Sequence, residues 1–166
     1  MQWVVVGAGA WGSAFARLLH ERDHAVTLAC RDASLALEIS GGGRNPRYLP
    51  GADLHGVAVT TLADAPYSAA DAIVVAVPSG AFRSVVEALP GSAPVLSLTK
   101  GLDPATGARL STLVRGRSVA VLSGPNFAEE IAEGLPAAAT IASLDVPFAE
   151  TVQHAIGSLA FRAYVN

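Results

Sequence analysis

Lysine is nearly absent from this chain: of eleven basic residues only Lys100 is a lysine, and the other ten are arginines. Cysteine is as scarce. The single Cys30 excludes a disulfide framework within one chain and fits a reducing cytoplasm. Charged residues make up only 15% of the sequence, and the densest basic stretch is Arg115-Gly116-Arg117, too short for a nucleic-acid stripe. No apolar run approaches the ~20 residues that span a bilayer. The Met1-Gln2-Trp3 start lacks the basic segment and long apolar core of a signal peptide. No metal site is expected.

What the chain does have is small apolar residues. Hydrophobic residues reach 51% and mean hydropathy is +0.42, too apolar for disorder and high for a freestanding domain. That excess suggests a face made to be covered by another domain or subunit. The length is that of one domain, 1–166, given that domains run to ~100–200 residues.

Short apolar runs at 3–6, 25–30, 57–60, 72–77, 94–98 and 118–122 are predicted buried strands. Between them, 11–21 places Trp11, Phe15, Leu18 and Leu19 at helical spacing. Phe82, Val85, Val86 and Leu89 repeat that spacing after Ser79, a candidate helix cap. Alternation of this kind predicts an α/β fold of Rossmann type, a doubly wound, mostly parallel sheet with helices on both faces. Residues 41–47, Gly-Gly-Gly-Arg-Asn-Pro-Arg, have the composition of a mobile loop. A strand at 137–142, a helix at 146–156 and a last run at 160–165 complete the sheet.

Gly7-Ala8-Gly9-Ala10-Trp11-Gly12 fits the G-x-G-x-x-G pattern where it is informative, after a first strand and opening a helix. Gly7 permits the tight turn, Gly9 lets backbone approach a pyrophosphate, and Gly12 allows close helix–strand packing. The helix N-terminus supplies N–H donors and positive potential. About 20 residues on, the second strand ends at Cys30-Arg31-Asp32, where a strict NAD site carries an acid for the ribose 2′-hydroxyl. Arg31 can instead pair with a 2′-phosphate, which favours NADP with NAD tolerated; Asp32 could neutralise Arg31 or bond the ribose itself. Pro78 stops the fourth strand and is placed to wall the cofactor cleft. Lys100, after an apolar run and before Gly101, sits where a strand ends, the place where ligands bind in open α/β sheets. Asn126 with Glu129 three residues on has the spacing of a capping box. His20, His24, His55 and His154 fall in helix ends or loops and are expected at the surface, so no catalytic base is in view.

These segments together resemble bacterial NAD(P)-dependent glycerol-3-phosphate dehydrogenase. The likeness runs along the whole chain: the glycine loop, Asn45-Pro46-Arg47-Tyr48-Leu49-Pro50-Gly51, Val77-Pro78-Ser79, Thr99-Lys100-Gly101-Leu102, Leu122-Ser123-Gly124-Pro125, Phe127-Ala128-Glu129-Glu130 and Gly134-Leu135-Pro136. The resemblance implies that Ala10, Trp11, Arg31, Lys100 and the backbone of Ala128 meet the cofactor. It also implies that Lys100, Gly124 and Asn126 meet dihydroxyacetone phosphate or glycerol 3-phosphate. Ala10 stands where serine is common in the family, and Asn126 where serine or threonine is. The proton-accepting lysine of the family belongs to a helical C-terminal domain, so the chain is expected to be the cofactor half, inactive alone. A cytoplasmic enzyme, homodimeric at full length and serving phospholipid synthesis, is what the family implies. A related hydroxyacid or ketopantoate reductase fits the Thr99-Lys100-Gly101 and Ser123-Gly124-Pro125-Asn126 segments less well. A noncatalytic nucleotide-sensing module is the alternative outside enzymes.

Overall fold

Side chains too apolar for water on either face occupy the centre of the molecule. β1 (Gln2–Val6) and β4 (Ala72–Val75) lie side by side, with Val4, Val5, Ile73 and Val74 wholly excluded from solvent. The structure, a computed structural model describing residues 1–166, extends this pair in both directions. β2 (Ala25–Cys30) and β3 (Ala58–Thr61) continue it on one side. β5 (Val95–Ser97), β6 (Val119–Ser123), β7 (Ala137–Ser143) and β8 (Phe161–Val165) continue it on the other. The eight strands form one sheet ordered β3-β2-β1-β4-β5-β6-β7-β8. β1 to β6 run parallel, β7 turns antiparallel to β6, and β8 runs parallel to β7.

Five helices cover the sheet: α1 (Ala10–His20), α2 (Ala33–Gly42), α3 (Ser79–Ala88), α4 (Ala128–Ala132) and α5 (Val146–Ile156). Alternation along β1 assigns the layers, because successive side chains point to opposite faces. Trp3 and Val5 join Phe15, Ile39, Ile131 and Val152 in a core with α1, α2, α4 and α5. Val4 and Val6 join Phe82 and Val86 under α3. This is the expected doubly wound, mostly parallel architecture. The strand order reverses at β1 and β4, and such a switch point opens a crevice at the carboxyl ends of the strands. No helix is long and apolar enough to cross a membrane.

Three local expectations need correction. Gly41 and Gly42 are not loop: α2 runs through them, started by Asp32, whose carboxylate accepts from the backbone N–H of Ser34 and Leu35. The rest of the expected mobile loop is anchored, since Asn45 is wholly buried and its amide Nδ2 donates to the Ala8 carbonyl at 2.9 Å and to Ser13 Oγ at 2.8 Å. Ser79 caps nothing: Pro78 holds the cap position of α3, Ser79 is the first helical residue, and the cap has no side-chain hydrogen bond. Asn126 and Glu129 form no capping box either. Phe127 is the cap of α4, and the Asn126 amide is drawn instead to the Ala138 carbonyl on β7 at 3.0 Å. For Asn126 a partner distant in sequence outcompetes the local one.

Candidate functional site

The glycine loop leaves β1 under tight steric control. Gly7 has φ +110°, and a Cβ there would lie 2.4 Å from the Ala76 carbonyl oxygen. A Cβ on Gly12 would lie 1.9 Å from the Gly7 carbonyl, so both glycines are demanded by the protein's own packing. Gly9 differs. A Cβ there would meet nothing within 4 Å, so its absence leaves open space rather than relieving a clash. The first intrahelical bond of α1 runs from Ser13 N to Gly9 O, and no side chain caps the helix. The N–H groups of the first turn are therefore left to an external acceptor, at the positive end of the helix dipole. That is a cradle suited to a pyrophosphate.

Around this loop lies a cleft of about 370 Å³. Its floor is Gly9, Ala10, Trp11 and Gly12, and its walls are Ala76 and Val77 from the end of β4 with Leu98 and Thr99 from the end of β5. Lys100, Asn126 and Ala128 close the remaining side. Ten of the eleven lining residues carry no titratable side chain; Lys100 is the exception. Of the residues singled out in the sequence, Gly9, Ala10, Trp11, Gly12, Lys100, Asn126 and Ala128 are thus brought together. Gly7 lies beneath the loop, and Gly124 lies behind Lys100. Pro78 stands one residue beyond the wall that Ala76 and Val77 form. None of the four histidines lines the cleft. His20 and His24 are half-buried rather than plain surface residues, His24 with Nε2 3.1 Å from the Ala155 carbonyl and its ring packed on Trp3.

The polar groups are held by backbone. Thr99 Oγ1 donates to the Val77 carbonyl at 2.8 Å, fastening the ends of β4 and β5. Lys100, exposed at the rim, donates from Nζ to the Gly124 carbonyl at 3.3 Å. Gly124 packs so closely on β7 that a Cβ would lie 2.8 Å from the Ala138 carbonyl and 2.6 Å from Asn126 Oδ1. The Asn126 side chain has its nitrogen committed to Ala138, while Oδ1 is buried without a hydrogen-bond partner. A buried acceptor left unmatched is costly, and this oxygen is turned against Gly124 rather than into the cleft.

Arg31 is exposed at the tip of β2, apart from the cleft, and makes no ion pair. Its neighbour Asp32 is not its partner. Asp32 accepts from Ser34 and, at 2.6 Å, from Arg47 Nη1; these bonds, the Ser34 hydroxyl foremost, hold its carboxyl well below the usual carboxylate range. Arg47 was quoted in a motif but carried no expected role, because its partner lies 15 positions away. Ala76, Val77, Leu98 and Thr99 were also missed as lining; their one sequence signal is position at the ends of apolar runs. No group of three potential metal ligands converges anywhere in the molecule.

Comparison with known proteins matches the architecture. Residues 2–149 match the family model described as the NAD-dependent glycerol-3-phosphate dehydrogenase N-terminus. The glycerol-3-phosphate dehydrogenase (NAD(P)+) of Nocardia farcinica is 40% identical over 177 residues, covering 98% of this chain and 53% of that protein. The Stenotrophomonas maltophilia protein of the same name is 45% identical over 174 residues, covering 98% and 50%. The crystal structure of glycerol-3-phosphate dehydrogenase from Coxiella burnetii superposes with a TM-score of 0.93 at 29% identity, over 99% of this chain and 53% of that one. The chain spans about half the length of the curated relatives it matches. It belongs to the NAD-dependent glycerol-3-phosphate dehydrogenase N-terminal family.

Proposed function

We propose that this chain is the cofactor-binding half of an NAD(P)H-dependent enzyme that reduces dihydroxyacetone phosphate to sn-glycerol 3-phosphate for glycerophospholipid synthesis. The observation that carries the reading is the convergence of the open Gly9 cradle, the sole lysine and Asn126 on one cleft. A nicotinamide dinucleotide, when bound, supplies the hydride. The chain's own residues do the rest. The first turn of α1 binds the pyrophosphate, Gly7 and Gly12 hold the loop in shape, and Ala10, Trp11, Pro78 and Ala128 confine the cofactor. Arg31 faces the 2′-phosphate of NADP, and NAD is also accepted. Lys100 neutralises the substrate beside the nicotinamide and stabilises charge that develops on its carbonyl oxygen. Gly124 and Asn126 complete the substrate wall.

Carbonyl reduction also needs a proton donor. The cleft offers no carboxylate or imidazole, so we assign that role to a helical domain in the other half of the family's length. Phe127, exposed between Asn126 and Ala128, and Leu135, exposed beyond the other end of α4, support a covering partner at this edge. The full-length enzyme is read as a cytoplasmic homodimer without nucleic-acid partners, a compartment consistent with the buried free thiol of Cys30.

Titrating NADPH into the chain tests the nucleotide site, with Trp11 fluorescence as the reporter. Saturable quenching is expected, and its absence with both NADPH and NADH removes the reading. Oxidation of NADPH on adding dihydroxyacetone phosphate is expected of the full-length polypeptide and not of the 166 residues alone. Turnover by the 166-residue chain would place the proton donor within it and overturn the assignment.

A further inference from the structure

Resting on the dinucleotide reading above, we propose that Arg47 sets the choice between NADP and NAD, by sequestering the carboxylate of Asp32 at the tip of β2. An acid at the end of the second strand is the group that takes a ribose 2′-hydroxyl in sites of this fold. Asp32 stands in that place with Oδ1 saturated and Oδ2 paired to a guanidinium. Its Oδ1 accepts from Ser34 N at 2.8 Å, Ser34 Oγ at 2.7 Å and Leu35 N at 3.4 Å, and its Oδ2 accepts from Arg47 Nη1 at 2.6 Å. With about two lone-pair sites on each carboxylate oxygen, the three local donors saturate Oδ1, while Arg47 takes one site of Oδ2 and neutralises the charge that would draw a ribose hydroxyl to the other.

Arg47 is built to stay where it is. Its Nη2 donates to Glu38 Oε1 at 2.6 Å and to Ser34 Oγ at 2.9 Å, so the planar guanidinium spans two carboxylates across the first turns of α2. The backbone N–H groups of Arg47 and Tyr48 donate to Asn45 Oδ1, while the amide nitrogen of Asn45 is fastened to the glycine loop. The arginine is therefore positioned from the same loop that would hold the pyrophosphate.

Charge follows from this geometry. Arg31 and Arg47 balance Asp32 and Glu38, so a 2′-phosphate approaching Arg31 meets no bare carboxylate. Without Arg47 the patch is left with a net negative charge, and Asp32 Oδ2 is open both to repel the phosphate and to accept a hydroxyl. Arg47 is thus a positioning residue that acts through Asp32.

The test is a set of dissociation constants for NADPH and NADH on the 166-residue chain, read by tryptophan quenching at fixed ionic strength. Arg47→Ala is expected to weaken NADPH by about tenfold or more while NADH stays within about threefold or tightens. Adding Asp32→Asn to Arg47→Ala keeps a competent helix cap and is expected to return NADPH to within about threefold of the parent. Arg47→Gln is read alongside, and NADH binding reports that each variant is folded. A loss of NADPH affinity that persists in the double variant means Arg47 touches the phosphate directly and overturns action through Asp32. An unchanged ratio of the two constants overturns the proposal alone. Failure of the parent chain to bind either dinucleotide overturns it together with the reading on which it rests.

Discussion

Asn45, wholly buried, donates its side-chain amide to the Ala8 carbonyl at 2.9 Å and so ties the segment after α2 to the glycine loop. The same nitrogen bonds Ser13 Oγ inside α1. Removing it by Asn45→Ala strands two buried polar groups, each of which was desolvated on the assumption of a partner. The expected cost is about 1–3 kcal/mol of folding stability. Equilibrium denaturation measures it, and an unchanged midpoint would show that the tether bears no strain. NADPH affinity is expected to weaken as well, because the loop that presents the first-turn N–H groups loses its brace.

Gly9 and Gly12 separate packing from binding within one loop. Gly9 has φ −75°, open to any residue, and space around its missing Cβ, so Gly9→Ala is expected to fold with a loss of no more than about 1 kcal/mol. Its dinucleotide affinity is expected to fall by about tenfold or more, since the new methyl projects where backbone must approach phosphate. Gly12→Ala would press a methyl to 1.9 Å from the Gly7 carbonyl and is expected to unfold or melt far earlier. Thermal melts with and without NADPH distinguish the two. Equal loss of affinity and stability in Gly9→Ala would mean that Gly9 serves the fold.

The strands were legible because β1, β4 and β5 are buried on both faces and so appear as uninterrupted apolar runs. The glycine loop was legible because its steric demands are local. Contacts between segments were not. Three consecutive glycines signal a loop, yet Gly41 and Gly42 are carried into α2 by the Asp32 cap and the packing of Leu35 and Ile39. Asn126 has capping spacing, but the Ala138 carbonyl on the antiparallel strand β7 takes its amide, and nothing in the local sequence announces that strand's direction. Asp32 and Arg47 each appeared in a motif, and the ion pair between them emerged only from the folded chain.

Lys100 should matter to the reaction and not to the fold. Its side chain is exposed and makes a single 3.3 Å bond to Gly124 O, so Lys100→Ala is expected to leave the melting temperature of the chain unchanged. In the full-length enzyme, kcat/KM for dihydroxyacetone phosphate is expected to fall by about 100- to 1,000-fold, the scale for losing one charge-stabilising donor. Steady-state kinetics beside calorimetry check both halves. Near-normal turnover in the variant would remove Lys100 from the substrate site.

Cys30 should be chemically silent in the native protein. It is fully buried in β2, and burial first, with the Asp32 charge second, pushes its thiol up to about 11. Little thiolate is present at neutral pH, and reagents have no access to it. Labelling by iodoacetamide is expected to be slowed by about 1,000-fold or more relative to the unfolded chain, and to follow the unfolding curve in denaturant. Rapid native labelling would show that β3 and β2 open far more easily than their packing indicates.

Asp103 should make the segment after Lys100 sensitive to acid. Its carboxylate is buried, accepts from Thr106 Oγ1 at 2.5 Å and from Arg83 Nη2 at 2.7 Å, and so fastens that segment to α3. The Thr106 hydroxyl first and the Arg83 guanidinium second hold its carboxyl below the usual carboxylate range. In the unfolded chain an aspartate titrates near ~3.9. Between the depressed folded value and that point the unfolded chain binds more protons, so stability rises with pH through the window. The contribution is complete above about pH 4 and is lost as pH falls through the folded value. Asp103→Asn removes the charge while keeping the shape. The stability gap between parent and variant is therefore expected to be constant near neutrality and to narrow steadily below about pH 4. Denaturation midpoints across that range measure it. A gap that does not narrow would mean that Asp103 contributes hydrogen-bond geometry alone, and that the Arg83 charge adds nothing to holding the segment beside Lys100.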